Sequence, residues 1–376
     1  MKLKFDCIKT KIIMITRLKH FALAMVAGLV LFSFYPASPS HAEEPQQEYI
    51  PHSGQSVFDV LNQEEMMEIT LVAELDSLIQ VRNSDKFRPA TFSYENKDGV
   101  RHTWQIKVRP RGKFRRQICD FPPLKLKFSK DELEAAGLEG FNDMKLVTHC
   151  MDEREVGSEL VLREYLAYKL YNVLTPNSFR VQLVKVTYRD SKDKGRKITR
   201  LGFLLEDEKQ LAQRIGGEQV DTMGLAAERY IPSQEKIASM FQFMIGNTDW
   251  DYRMLRNVTF FRTSGGKLAP VPYDFDFSNL VGASYRRPNA DLKQTGAMER
   301  IYMGQSKSAR ELYSTFSYFR TKKEALLDVV RNFRFLDSDS RDGLDLYLEE
   351  FFDLIQDEET AQRGLFERNS AERLSR

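Results

Sequence analysis

The pattern of apolar and polar positions divides the chain into a strand-rich first half and a helix-rich second half. Residues 179–188 (FRVQLVKVTY) alternate strictly, the period of a half-buried strand. Residues 199–206 (TRLGFLLE) follow a charged loop and pair with them as a hairpin. Ahead of these, residues 68–75 (EITLVAEL), 90–96, 102–108, 124–128 (LKLKF) and 144–148 read as further strands. Lys97-Asp98-Gly99 supplies a turn between the second and third. One helix interrupts the strands: Ser158 is placed as its N-cap, and Leu162, Leu166, Leu170 and Leu174 form its apolar stripe before Pro176. After Asp207 the period changes, and residues 210–214, 235–245, 308–316, 322–333 and 341–356 read as helices. Residues 282–305 are irregular and polar. The pattern predicts an α+β protein of two lobes, with its site between them.

Within the second half lies a hairpin flanked by acids. Residues 257–262 (NVTFFR) and 267–273 are its strands, joined at Ser264-Gly265-Gly266. Asp249 and Asp251 precede it, Asn257 opens it, and Asp274 and Asp276 follow it. A hairpin brings its outer ends together, so these groups should converge. Carboxylates that converge without matching cationic side chains repel one another unless a hard cation, Mg²⁺ or Mn²⁺, lies between them. Alternation in PYDFDFS (272–278) places Asp274 and Asp276 on one face, with Phe275 and Phe277 buried on the other.

Charge changes the picture of the N-terminus. Six basic residues precede an apolar run over residues 21–35, then Pro36, Pro39 and a small-residue site at Ser40-His41-Ala42. This is the layout of a secretory signal over residues 1–42, and 15 apolar residues are short for a membrane span. Removing it leaves 50 basic against 53 acidic residues, a net charge of −3, so nucleic acid is not an expected partner. Cys7 leaves with the signal. Cys119 and Cys150 remain, a pair expected to form a disulfide in the periplasm or outside the cell.

Several stretches in order resemble the spore-coat H-type (CotH) kinase family, an atypical branch of the protein-kinase-like fold. They are RGKFRR at 111–116, KLKF at 125–128, REYLAYKL at 163–170, GFLLEDE at 202–208, GNTDWDYRMLRN at 246–257 and PYDFDFS at 272–278. The resemblance implies a two-lobed kinase-like architecture. A flexible leader (43–66) would precede a strand-rich nucleotide-binding lobe (67–206) and a helix-rich lobe (207–376) holding the acidic hairpin. It also implies ATP with Mg²⁺ or Mn²⁺, and phosphoryl transfer to a secreted or envelope protein.

By position, the resemblance assigns Gly112 to a close backbone approach to phosphate, with Arg111 and Arg115 or Arg116 supplying charge. Lys125, or second Lys127, would grip the phosphates and pair with Glu164 or Glu159 on the helix, with Glu164 preferred. Glu206 would end the strand that meets adenine. Asp249 or Asp251 would act on the acceptor hydroxyl, while Asn257 and Asp274 or Asp276 would hold metal. Two departures bear on these roles. Asn257 lies eight residues after Asp249 and six after Asp251, where the ordinary kinase gap is five, and Asp-Phe-Asp replaces Asp-Phe-Gly. The alternatives are a catalytically inactive pseudokinase serving as an envelope interaction module, a two-metal phosphohydrolase, and nucleotidyl transfer from the same cleft.

Overall fold

A computed structural model describes residues 54–367 except Lys194, Lys293, Thr295 and Ala297. The expected signal over 1–42 and the start of the leader lie outside the described residues. The described residues fall in one compact unit.

The first half builds a closed barrel of seven strands. These are β1 (Met67–Ala73), β2 (Arg88–Glu95), β3 (Arg101–Pro110), β4 (Leu124–Lys127), β5 (Asp143–Val147), β6 (Val181–Asp190) and β7 (Lys197–Leu205). Their order around the barrel is β1-β2-β3-β4-β5-β7-β6. Every neighbouring pair is antiparallel except β1 and β6, whose parallel pairing closes the ring. Closure leaves no free strand edge. The short helix α1 (Val57–Leu61) precedes β1, and α2 (Leu75–Gln80), α3 (Arg115–Ile118) and α4 (Lys130–Ala135) sit in the barrel's connections. Val57, Phe58 and Leu61 of α1 are buried in the barrel's apolar cluster, so this part of the expected leader is packed.

Strands β6 and β7 are apolar on both faces, because each face meets a core. Val184, Val186, Tyr188 and Leu204 fill the barrel, while Leu183, Phe203 and Leu205 pack outward onto α5 (Arg154–Leu174). That helix starts four residues before the expected Ser158 cap, and Gly157 lies inside it. A Cβ at Gly157 would stand 2.3 Å from the Met151 carbonyl oxygen, so only glycine allows the chain to fold back there.

The second half contributes α6 (Glu208–Arg214), β8 (Gly217–Val220), α7 (Pro232–Met244), β9 (Val258–Thr263), β10 (Leu268–Pro272), α8 (Tyr313–Thr321), α9 (Lys323–Arg331), α10 (Ser338–Leu354) and α11 (Glu358–Ala361). The expected hairpin is β9–β10, and β8 joins it as a third antiparallel strand. One apolar cluster runs from Val147, Leu183 and Phe203 through α5 to Phe241, Phe316 and Phe351.

This is a closed seven-stranded barrel with helices and a second small sheet, not the two-lobed kinase-like architecture expected from the sequence. The difference follows from β6, β7 and α5. Their outward apolar residues are shared with the C-terminal helices, so the expected lobes merge in one core.

Candidate functional site

The segment after β3 positions the key cation. Gly112 has φ of 80°, a left-handed turn that favours glycine, and it swings the chain into α3. Arg115, the first residue of α3, is buried and reaches acids from two distant parts of the chain. Its Nη2 donates to both Glu164 carboxylate oxygens at 2.9 Å and to Asp274 Oδ1 at 3.0 Å. Its Nε donates to Asp276 Oδ2 at 2.8 Å, an atom that also accepts from the Tyr285 hydroxyl at 3.1 Å. Of the acids expected to converge, Asp274 and Asp276 do so around an arginine, joined by Glu164; Asp249 shares the pocket without touching that arginine, and Asp251 does not line it. The sequence reading assumed no matching cation because Arg115 lies 159 residues from Asp274.

The acids reach this point by strained backbone. Strand β10 stops at Pro272, so PYDFDFS is not the alternating strand expected. Tyr273 still donates its backbone N–H to the Asn257 carbonyl at 3.0 Å. Asp274 then turns at φ of 61°, its N–H donating to the Tyr168 hydroxyl at 2.9 Å, and Asn257 has φ of 53°. Asparagine and aspartate tolerate this region better than other side chains, and strain of this kind clusters at functional sites. Phe275 is buried as expected, whereas Phe277 lines a pocket with Phe114.

That pocket has a volume of about 410 Å³. Arg111, Gly112, Lys113, Arg115 and Arg256 line it together with Asp249, Asn257, Asp274 and Asp276. Asn257 donates its amide to the Asp249 carboxylate at 2.9 Å and to the Asp249 carbonyl at 2.7 Å, which turns its amide oxygen away from them. Burial raises the proton affinity of Asp249; Arg256 opposes the shift, and Asp274 adds to it. For Glu164 and Asp276, burial pushes the carboxyls up, Arg115 offsets only part of this, and neighbouring acids push the same way as burial. Burial works against the Arg115 charge, yet the three carboxylates hold its pKa well above the ordinary value.

Other expected residues are placed elsewhere. Asp251 serves its own turn: its carboxylate accepts from the Met254 N–H at 2.8 Å, and its backbone pairs with Arg256. Lys125 pairs with Asp143 at 2.9 Å rather than with Glu164, and Lys127 lies 5.7 Å from the Phe87 ring. Glu206 is fully buried between Arg180 and Arg214, at 2.8 and 2.9 Å, and does not line the pocket. Glu159 pairs with Arg163. Cys119 and Cys150 form the expected disulfide, directly after α3.

Sequence reasoning missed Lys145. This lysine of β5 lies over the Phe179 and Tyr273 rings and pairs with Glu208. Burial and then Arg111 push its pKa down, while Glu208 and Asp274 act in the opposite direction. A lone lysine in the otherwise apolar KLV run was the available signal. Tyr168 left no comparable signal, since its partner Asp274 lies 106 residues away, and Tyr285 itself sits in the irregular stretch.

Among the described residues, no three carboxylate, histidine or cysteine side chains form a metal-holding group. Asp276 is committed to Arg115 and Tyr285, Asp274 meets Arg115 through Oδ1 alone, and Asp274, Asp249 and Asn257 all line the pocket. Such a set fits a magnesium-type ion that keeps water and substrate phosphates as its other ligands, not an all-protein cage. No model of a known protein family matches the chain, and no curated protein matches it.

Proposed function

We propose that the pocket binds ATP with Mg²⁺ or Mn²⁺ and transfers the γ-phosphoryl group to a hydroxyl of a secreted or envelope protein. The observation that carries this reading is the presence of Asp249, Asn257, Asp274 and Arg111 in one pocket, with Lys145 close enough to feel the charges of Arg111 and Asp274. Phosphoryl transfer asks a protein chiefly for positioning and charge neutralisation. Three acids, Glu164, Asp274 and Asp276, meet one buried cation, Arg115, and Arg111, Lys113 and Arg256 line the same pocket as Asp249, Asp274 and Asp276, so cations for phosphate lie beside carboxylates for a divalent ion.

Asp274 and Asn257 are the residues to hold that ion, whose chemistry is to neutralise phosphate oxygens. Arg111 and Lys145 receive the remaining phosphate charge. Asp249, with its raised proton affinity and its geometry fixed by Asn257, accepts the proton of the acceptor hydroxyl. The ordered motifs similar to the CotH kinases support the same reaction class. Export is supported by the N-terminal pattern and by the disulfide, which suits an oxidising compartment.

Calorimetry with Mn²⁺ and ATP tests the site: Asp274→Ala should abolish metal-dependent binding, and unchanged binding overturns the assignment. Incubation with γ-labelled ATP and envelope extract tests the reaction, with Asp249→Asn expected to remove transfer. In a parallel incubation with α-labelled ATP, labelled acceptor would mean nucleotidyl transfer, and free phosphate without acceptor would mean hydrolysis. A second reading has its own support, since Arg115 already neutralises part of the acidic cluster with no ion needed. Nucleotide binding without any transfer would favour that reading, a binding module.

A further inference from the structure

The outer face of the barrel carries a patch of cations on β3, β4 and β5. Strands β3 and β4 pair Lys107 opposite Lys127 and Arg109 opposite Lys125, and β4 and β5 pair Lys125 opposite Lys145. Val108, Leu124, Leu126 and Leu146 between them are buried, so all five cations lie on the outward face. Like charges directly across a sheet are destabilising, so three such pairs in one patch call for a reason. Arg109, Lys125 and Lys145 have acidic partners in Asp85, Asp143 and Glu208. Among the described residues no ion pair engages Lys107 or Lys127; Lys127 instead shares the Phe87 ring with Arg109, at 5.7 and 5.3 Å. Lys107, Lys127, Phe87 and Pro89 line an open groove of about 630 Å³ in which Glu132 is the one lining acid.

We propose that this face docks an acidic, extended polypeptide segment and leads it toward the pocket. The acceptor is then an acidic stretch of protein, an identification that rests on the phosphotransfer reading above. Lys107 and Arg109 are two residues apart on β3, about 7 Å along the strand, which matches alternate side chains of an extended peptide. The same chain continues to Arg111 in the pocket wall, so the row of cations points at the site. The closed barrel offers no strand edge for added pairing, so recognition falls to side chains. A peptide fits better than an anionic bilayer or a nucleic acid. Phe87 and Pro89 give the groove apolar contacts, and Asp85, Asp143 and Glu132 interrupt the face that a flat or continuous polyanion would cover.

The test is fluorescence anisotropy of a labelled peptide alternating glutamate and alanine, titrated with the full chain lacking its signal and without nucleotide. Lys107→Glu replaces a like-charge pair with an opposite-charge pair across Lys127. Its thermal midpoint should therefore hold or rise, while peptide affinity falls about tenfold. Gln105→Glu, an exposed groove position, should weaken binding in the same direction. Unchanged affinity in both variants overturns the proposal. So does a parallel loss of midpoint and affinity in Lys107→Glu, or tighter binding to vesicles of anionic lipid or to DNA than to the peptide. Because no nucleotide is present, failure here is separate from failure of phosphotransfer, which the γ-label experiment reads alone.

Discussion

Arg115 sits where burial and charge oppose each other most directly. Its guanidinium is buried against three carboxylates, and removing one member of such a cluster costs more than the cluster is worth relative to apolar residues. Arg115→Met should lower stability at pH 7 by about 3–5 kcal/mol, measured by denaturant unfolding. Glu164 and Asp276 already bind protons more readily folded than unfolded, and loss of the guanidinium strengthens this, so both proteins gain stability as pH falls from 7 toward 5 and the variant gains more. Its deficit against the parent should shrink over that window, and a constant deficit would contradict the cluster's electrostatic role. His149 gives the opposite sign. It is buried, stacks on Phe121 with centroids 5.1 Å apart, and burial followed by Arg200 pushes its pKa down to about 4. A histidine with a depressed folded value contributes stability that is present above about pH 6.5 and is lost as pH falls toward 4. His149→Phe should remove about 2 kcal/mol of the loss seen on going from pH 7.5 to 5, read from paired unfolding curves.

Helix α3 has only four residues and no side-chain cap, so its placement depends on what surrounds it. The disulfide supplies part of this by joining Cys119, at the end of α3, to Cys150, and Arg82 donates to the Cys119 carbonyl at 2.6 Å. Cysteines 31 residues apart close a loop whose loss should cost about 3–4 kcal/mol in the chain-entropy account. Cys119→Ser with Cys150→Ser should show that loss and also weaken metal-dependent ATP binding, because the link holds the segment that presents Arg115. Destabilisation with unchanged ATP affinity would confine the bridge to folding. At the same scale, the β9–β10 hairpin was legible because its turn and its β-branched and aromatic run are local signals. Its acidic flanks were legible as a cluster, but the left-handed turns at Asn257 and Asp274 were not, since they depend on partners in α5 and the Asp249 loop.

For the molecule as a whole, the shared core replaces the expected pair of lobes. The chain has two tryptophans, Trp104 in the barrel cluster and Trp250 in the cluster beside the hairpin. With Leu183, Phe203 and Phe351 in one continuous cluster, both regions should lose structure together. Fluorescence of Trp104→Phe and Trp250→Phe variants, each corrected for its own calorimetric midpoint, should give coincident unfolding transitions. Two separated midpoints would restore independent lobes. No described helix is long and apolar enough to cross a membrane.

The sequence by itself determined the strands, most helices, the hairpin and the acidic residues around it, because these rest on periods of two and 3.6 residues and on turn chemistry. It singled out Arg115, Glu164, Asp249, Asn257, Asp274 and Asp276, all of which the fold gathers at one place. Only the tertiary structure decided who pairs with whom. Lys125 answers Asp143, Glu206 answers two arginines, and Arg115 takes the partner expected for a lysine. It also decided that the strands close on themselves, since β1 meets β6 across more than a hundred residues. Local periodicity carries no information about such distances. Convergence there is fixed by the packing of apolar clusters drawn from distant parts of the chain.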